Sequence, residues 1–170
     1  MRRLRFAGKR VPDARHGGRM KIVIKYARDG AVRFLSHLDM QRAFGRAIRR
    51  ADIDALYSQG FNPHILMSFA SPLSVGYATQ GDYLEVGASD EEDVSTICSR
   101  LNAVFTDDIR VLHAFLYTGK KKLMALNARA EYQIRFAVEN EMDCVTIKDI
   151  SERLGAAESY TRGDRRGKPV

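Results

Sequence analysis

Two segments concentrate the residue types that do chemistry. Arg33-Phe34-Leu35-Ser36-His37-Leu38-Asp39 brings together a cation, a hydroxyl, an imidazole and a carboxylate. Tyr57-Ser58-Gln59-Gly60-Phe61-Asn62-Pro63-His64 adds two aromatic rings, side-chain amides and a second imidazole. Ser36 stands where a helix would begin, and a helix start offers unpaired backbone N–H groups and partial positive charge, suited to a phosphate or carboxylate. Arg33 and His37 would add side-chain donors, and Tyr57 and Phe61 flat faces for a base or another planar ligand. Asp39, Ser58, Gln59 and Asn62 complete the expected ligand- or partner-binding set. His37 and His64 also form a candidate acid–base pair for cleaving RNA without a metal, since imidazole serves either role near neutral pH.

Each residue has a plainer reading. Ser36 caps its helix whatever else it does, with Asp39 three residues on as a variant of the capping box. His37 would be a surface residue or a donor to a loop carbonyl, and His64 would simply pin its loop. Phe34 and Leu35 read as core, and Phe61 could be core too.

The elements that position these groups follow from periodicity. Lys21 to Tyr26 is a β-rich run, with turn chemistry in Arg28-Asp29-Gly30. Ala31 to Leu35 either pairs back or leads into the next element. Behind Ser36, apolar residues at Met40, Ala43, Phe44, Ala47, Ile48 and Ala51 mark an amphipathic helix ending near Asp52. Arg42, Arg46, Arg49 and Arg50 fall on its opposite face, as a solvated surface or a phosphate-binding stripe. Asp39 is spaced to pair with Arg42.

Ile65 to Ala70 reads as a strand. Gln80-Gly81-Asp82 reads as a turn ahead of a strand at Tyr83 to Val86. A second helix is expected over Asp90 to Phe105, with acidic residues in its first turn, and a strand over Ile109 to Tyr117. The order βαββαβ is that of a ferredoxin-like α+β sandwich, here spanning residues 20–118. Residues 119–128, with Lys120 to Lys122, read as a solvated linker. Residues 129–170 hold one strand at Tyr132 to Val138 and a helix capped by Thr146. That is the start of an incomplete second βα unit, which suggests a truncated chain.

Composition narrows the function. The net charge of +7 is carried by the ends: residues 1–20 hold seven cations against one acid, net +6, and residues 160–170 are net +3, leaving the body at −2. Residues 1–19 are expected as a disordered basic arm able to touch phosphates without reading sequence, and Met20 is an alternative start. No apolar run reaches the roughly 18 residues of a membrane span. The basic N-terminus lacks a signal-peptide core, so a cytoplasmic location is the default. Cys98 and Cys144 are too few and too far apart for a disulfide framework and read as small core residues. The cysteine spacing of a radical iron–sulfur cluster, the phosphate-loop motif and the dinucleotide glycine motif are all missing. His16, His37, His64 and His113 lack metal-ligand spacing. Neither a metal nor a cofactor is expected in this chain.

The segments Arg33 to Asp39, Arg42-Ala43-Phe44, Arg46 to Ala51, Tyr57 to His64 and Ser68-Phe69-Ala70-Ser71-Pro72-Leu73-Ser74-Val75-Gly76 resemble the bacterial radical-SAM-linked family. This is a domain of unknown function found beside radical SAM proteins or fused to their C-terminus. The likeness covers about residues 20–138. It departs at Ile65-Leu66, where members often carry proline or lysine, and at Thr79-Gln80-Gly81, often Ser-Glu-Gly. Members usually run well beyond this length.

The resemblance implies a radical SAM protein as partner. Its usual neighbourhood of ribonuclease G and ribosomal-protein genes implies RNA or a ribosome component as substrate. Three functions are therefore expected to compete. The first is an accessory domain that holds such a substrate for a radical SAM enzyme. The second is a metal-independent RNA-processing enzyme on His37 and His64, and the third is a structural interaction subunit.

Overall fold

The computed structural model describes residues 19–127, 131–133 and 141–156. The chain divides into two compact units that part between Ala130 and Glu131. The first unit contains β1 (Arg19–Arg28), α1 (His37–Arg50), β2 (Met67–Phe69), β3 (Thr79–Ser89), α2 (Val94–Asn102) and β4 (Ile109–Tyr117). The strands form one antiparallel sheet in the order β2-β3-β1-β4, the arrangement of a ferredoxin-like α+β fold.

Strand alternation directs Ile22, Ile24 and Tyr26 of β1, with Leu84, Val86 and Ala88 of β3, to the side covered by α1 and α2. From α1 the same core receives Met40, Phe44, Ala47, Ile48 and Ala51, the stripe expected from the sequence. Phe44 is its centre: its ring meets those of Tyr26, Phe69 and Phe105 edge-on at centroid distances of 4.9, 5.6 and 5.0 Å.

The end of α1 is fastened by a residue from α2. The Arg100 guanidinium donates to the carbonyls of Ala51, at 2.9 Å, and Asp52, and pairs with Glu92. It thereby satisfies carbonyls that the finished helix leaves open. Asp52 takes a φ of 54°, a left-handed position that short polar side chains tolerate.

Several expectations need correction. Gln80-Gly81-Asp82 is not a turn, because β3 runs unbroken from Thr79 to Ser89. The tertiary partner overrides local composition: Asp82 stands opposite Tyr26 and accepts its hydroxyl at 3.1 Å. The second helix is shorter than Asp90 to Phe105. Its acidic residues precede it, with Asp93 capping Ser95 N–H at 3.0 Å, and Val104 and Phe105 pack on the core from beyond its end. Ala31 to Leu35 does not pair back but leads into the next element: residues Gly30–Phe34 form a 3-10 turn ahead of α1, and Phe34 is exposed rather than core. Leu35 is partly buried against the core, as is Cys98.

In the stretch read as linker, Leu123–Leu126 forms a 3-10 turn that comes against β2 and β3. In the second unit α3 spans Glu141–Ala156. Thr146, expected as its cap, lies inside it. The expected strand over Tyr132 to Val138 falls mostly outside the described residues, as do the basic arm at 1–18 and the basic tail. No helix of the described residues is long and apolar enough to cross a membrane.

Candidate functional site

The helix start is built as the sequence suggested, and its chemistry is already spent. Ser36 is extended, with φ −67° and ψ 164°, and its Oγ accepts the Asp39 N–H at 3.2 Å. The same hydroxyl donates to Asp39 Oδ2 at 2.7 Å, while Asp39 Oδ1 pairs with Arg42 at 3.0 Å. These two hydrogen bonds, Ser36 first and Arg42 second, hold the Asp39 carboxyl below the usual aspartate range. A carboxylate therefore already answers the positive end of α1, which weakens the case for an external anion there.

His37 turns back onto the fold. Its ring meets Phe69 edge-on at 5.2 Å, and its Nε2 lies 3.3 Å from Gln41 Nε2. Arg33 is half-exposed, stacks its guanidinium 4.8 Å above the Phe34 ring and pairs loosely with Asp29 at 3.8 Å. Its carbonyl accepts the Gly76 N–H at 2.8 Å. The segment Ser74 to Tyr77 is thus drawn against the entry to α1.

A residue that sequence reasoning treated as part of a turn holds that segment from below. Arg28 is only 2% exposed, and its guanidinium donates to Tyr77 O at 3.1 Å and Ser74 O at 3.0 Å. Tyr26 and Asp82 complete this buried polar group. Burial, the largest cause, raises the Asp82 carboxyl, and burial followed by the Asp82 charge raises the Tyr26 hydroxyl well beyond its ordinary range.

The Asn-Pro loop is closed at its neck. Ser58 N–H donates to His64 O at 2.8 Å, His64 N–H donates to Ser58 Oγ at 3.1 Å, and that hydroxyl shares a further hydrogen bond with His64 Nδ1 at 2.9 Å. His64 therefore pins its loop, and Tyr57 packs partly on the core. Phe61 does neither. It stands fully exposed at the tip, beside exposed Gln59 and Asn62.

The two segments lie at opposite ends of β2. His37 packs on Phe69, the last residue of that strand, whereas the loop returns through Ile65 and Leu66 just before its first. Five residue steps of extended chain lead from His64 to Phe69, about 16 Å at roughly 3.3 Å per step. Among the described residues no hydrogen bond or ring contact joins His37 to His64. Arg33, Ser36, His37 and Asp39 form one cluster, and Tyr57, Ser58, Gln59, Phe61, Asn62 and His64 another.

The loop shares its end of the fold with the second half of α1. The chain passes from Ala51 to Ala55, which bridges Ala88, and directly into the loop. A Cβ on Gly45 would lie 3.7 Å from Arg49 Nη1 and 3.6 Å from Met67 Cε, so Arg49 lies toward β2. Arg42, Arg46, Arg49 and Arg50 are all exposed. Arg42 is tied to Asp39, while the other three have no ion pair among the described residues. A shallow concavity of about 760 Å³ lies at the β1–β4 end, lined by Arg28, Asp108 and Arg110 among others, and includes none of the expected site residues. No group of three His, Cys, Asp or Glu among the described residues could hold a metal ion.

No curated protein and no solved structure matches the chain. A family model described as an uncharacterized protein conserved in bacteria (DUF2344) matches residues 21–168, and the chain belongs to that family.

Proposed function

We propose that the chain is a non-catalytic binding module that holds RNA, or an RNA-containing part of the ribosome, for a radical SAM enzyme. One observation carries the RNA half: Arg46, Arg49 and Arg50 are exposed on one helix face with no ion pair among the described residues, at the end of the fold where the loop presents Phe61. Guanidinium groups displace counterions from phosphates, and a free ring on a stiff neck offers a stacking surface for an unpaired base. The radical SAM half rests on the sequence resemblance.

The alternative of a ribonuclease on His37 and His64 would need both rings around one phosphate. Phe69 and Gln41 engage one ring and Ser58 the other, at opposite ends of β2. General acid–base catalysis works at hydrogen-bond reach, roughly 3 Å, so this arrangement disfavours it.

The test is RNA binding by the whole chain across a salt series. Affinity should fall steeply with salt, and Arg46→Glu with Arg49→Glu should weaken binding and flatten the dependence by about 1.4 in log–log slope, near 0.7 per lost contact to a single strand. Binding that ignores salt and both substitutions refutes the RNA half. Co-purification with an identified radical SAM protein tests the other half.

A further inference from the structure

The sheet face turned away from α1 and α2 carries its own pattern. Alternation and register put Lys21 and Lys25 of β1 on that face, with Tyr83 of β3 and His113, Phe115 and Tyr117 of β4. Lys25 lies between His113 and Tyr83 in neighbouring strands, Lys21 beside Tyr117, and Val23 beside Phe115. Val23 is fully buried, Lys25 and Tyr83 are half-buried, Phe115 is 42% exposed and His113 is exposed.

The cations sit against the rings. Lys25 Nζ is 5.8 Å from the Tyr83 centroid and Lys21 Nζ is 5.9 Å from that of Tyr117. Gly81 gives Lys25 its path across β3, since a Cβ there would come within 2.6 Å of Lys25 Cε. At the far end of β4 the Tyr117 hydroxyl donates to Lys121 O at 2.8 Å, tethering the exposed Lys120, Lys121 and Lys122 beside the face. Among the described residues Lys21 is the one lysine here with an acidic partner, Glu85 at 3.1 Å.

We propose that this face binds single-stranded RNA, with bases laid on Tyr83 and Phe115 and phosphates against Lys25 and the Lys120 to Lys122 run. Rings on a sheet face can stack only on bases free of a complementary strand, and the alternation of rings with ammonium groups matches the alternation of base and phosphate along one strand. The excess of lysine over Glu85, the one carboxylate of this face among the described residues, gives the charge complementarity that a purely apolar docking face would lack. The choice of RNA rests on the function proposed above; the residues do not, because they lie on the other side of the sheet from the α1 arginines.

The experiment uses the whole chain and a fluorescently labelled single-stranded RNA of about twelve nucleotides, long enough for one such surface. Tyr83→Ala and Phe115→Ala should each raise Kd about tenfold with the salt slope unchanged. Tyr83→Phe should bind like the parent, and Lys25→Gln should weaken binding and flatten the slope. Circular dichroism would establish that each variant is folded. If Arg46→Glu with Arg49→Glu weakens binding while the Tyr83, Phe115 and Lys25 variants do not, the sheet face is refuted and the function proposed above stands. The converse keeps the sheet face and removes the arginine stripe. Equal competition by a duplex of the same sequence, or a dimer lost in Phe115→Ala with RNA binding unaltered, overturns the proposal.

Discussion

The Tyr26 hydroxyl donates to the Asp82 carboxyl across the β1–β3 pair at 3.1 Å, joining residues fifty-six positions apart inside the core. Burial raises the Asp82 carboxyl above its ordinary range, so between the unfolded and folded pKa values the native state holds the proton more tightly. The sign follows from linkage. The contribution is fully present below the unfolded pKa, about 3.9, and is lost as pH rises through the raised folded value. Stability measured by urea unfolding should therefore decline over that window, and Asp82→Asn, which keeps an acceptor for Tyr26 but cannot ionise, should remove that part of the decline. An unchanged profile in the variant would show that Asp82 titrates as it does in the unfolded chain.

Arg28 has the same burial with a different task. Its two hydrogen bonds to Ser74 O and Tyr77 O replace the water that these carbonyls would otherwise bind. Arg28→Ala should cost about 3 kcal/mol, the upper end of the scale for losing hydrogen bonds from a charged donor. Arg28→Lys should recover only part of that, since an ammonium cannot reproduce the fork of a guanidinium. Denaturant midpoints check both. Equal stability of the alanine variant would mean that the Ser74 to Tyr77 segment stands without its support.

The regular elements were legible because their signals are local. The α1 stripe from Met40 to Ala51, the Ser36 cap and the alternating run Ile109 to Tyr117 each express one repeat of the backbone. Asp82 was misread because its partner lies on another strand, and turn composition was the only signal within reach. Arg28 looked like part of a turn for the same reason. The separation of His37 from His64 did carry a signal in the element order. In a β-α-β unit the helix runs back along the sheet, so its start and the loop after its end lie at opposite ends. Residue type alone obscured this. Lys25, Tyr83 and Phe115 carried no signal of their own, because strand alternation marks the core face and leaves the chemistry of the face opposite it unread.

Asp39 gives a test of where phosphates go. It holds Ser36 and Arg42 and is half-exposed, and its lowered pKa means that its contribution is present above the unfolded value and lost as pH falls through the folded one. Asp39→Asn removes a negative charge from the α1 start and releases Arg42. If RNA phosphates run along the arginine face, this variant should bind RNA more tightly, by about two- to threefold at low salt, because the substitution removes a like-signed charge within about one Debye length of the strand. Were the Ser36–Asp39 cluster itself the ligand site, the same variant should bind more weakly. Filter binding at two salt concentrations separates these outcomes.

Phe61 separates recognition from folding. Its ring is fully exposed at a tip whose neck is closed by Ser58 and His64, so truncation removes no core contact. Phe61→Ala should leave the unfolding free energy within about 0.5 kcal/mol of the parent, the usual bound for a surface substitution. His64→Ala should cost more, because it removes the ring hydrogen bond that stiffens the neck, while leaving the backbone pairing. If the loop engages a base, both variants should weaken RNA binding. Phe61→Ala would do so by about 1–3 kcal/mol of stacking at unchanged stability, and His64→Ala by less, through a loosened loop. Full RNA affinity in Phe61→Ala would leave that ring without a part in recognition and restrict the surface to the arginines.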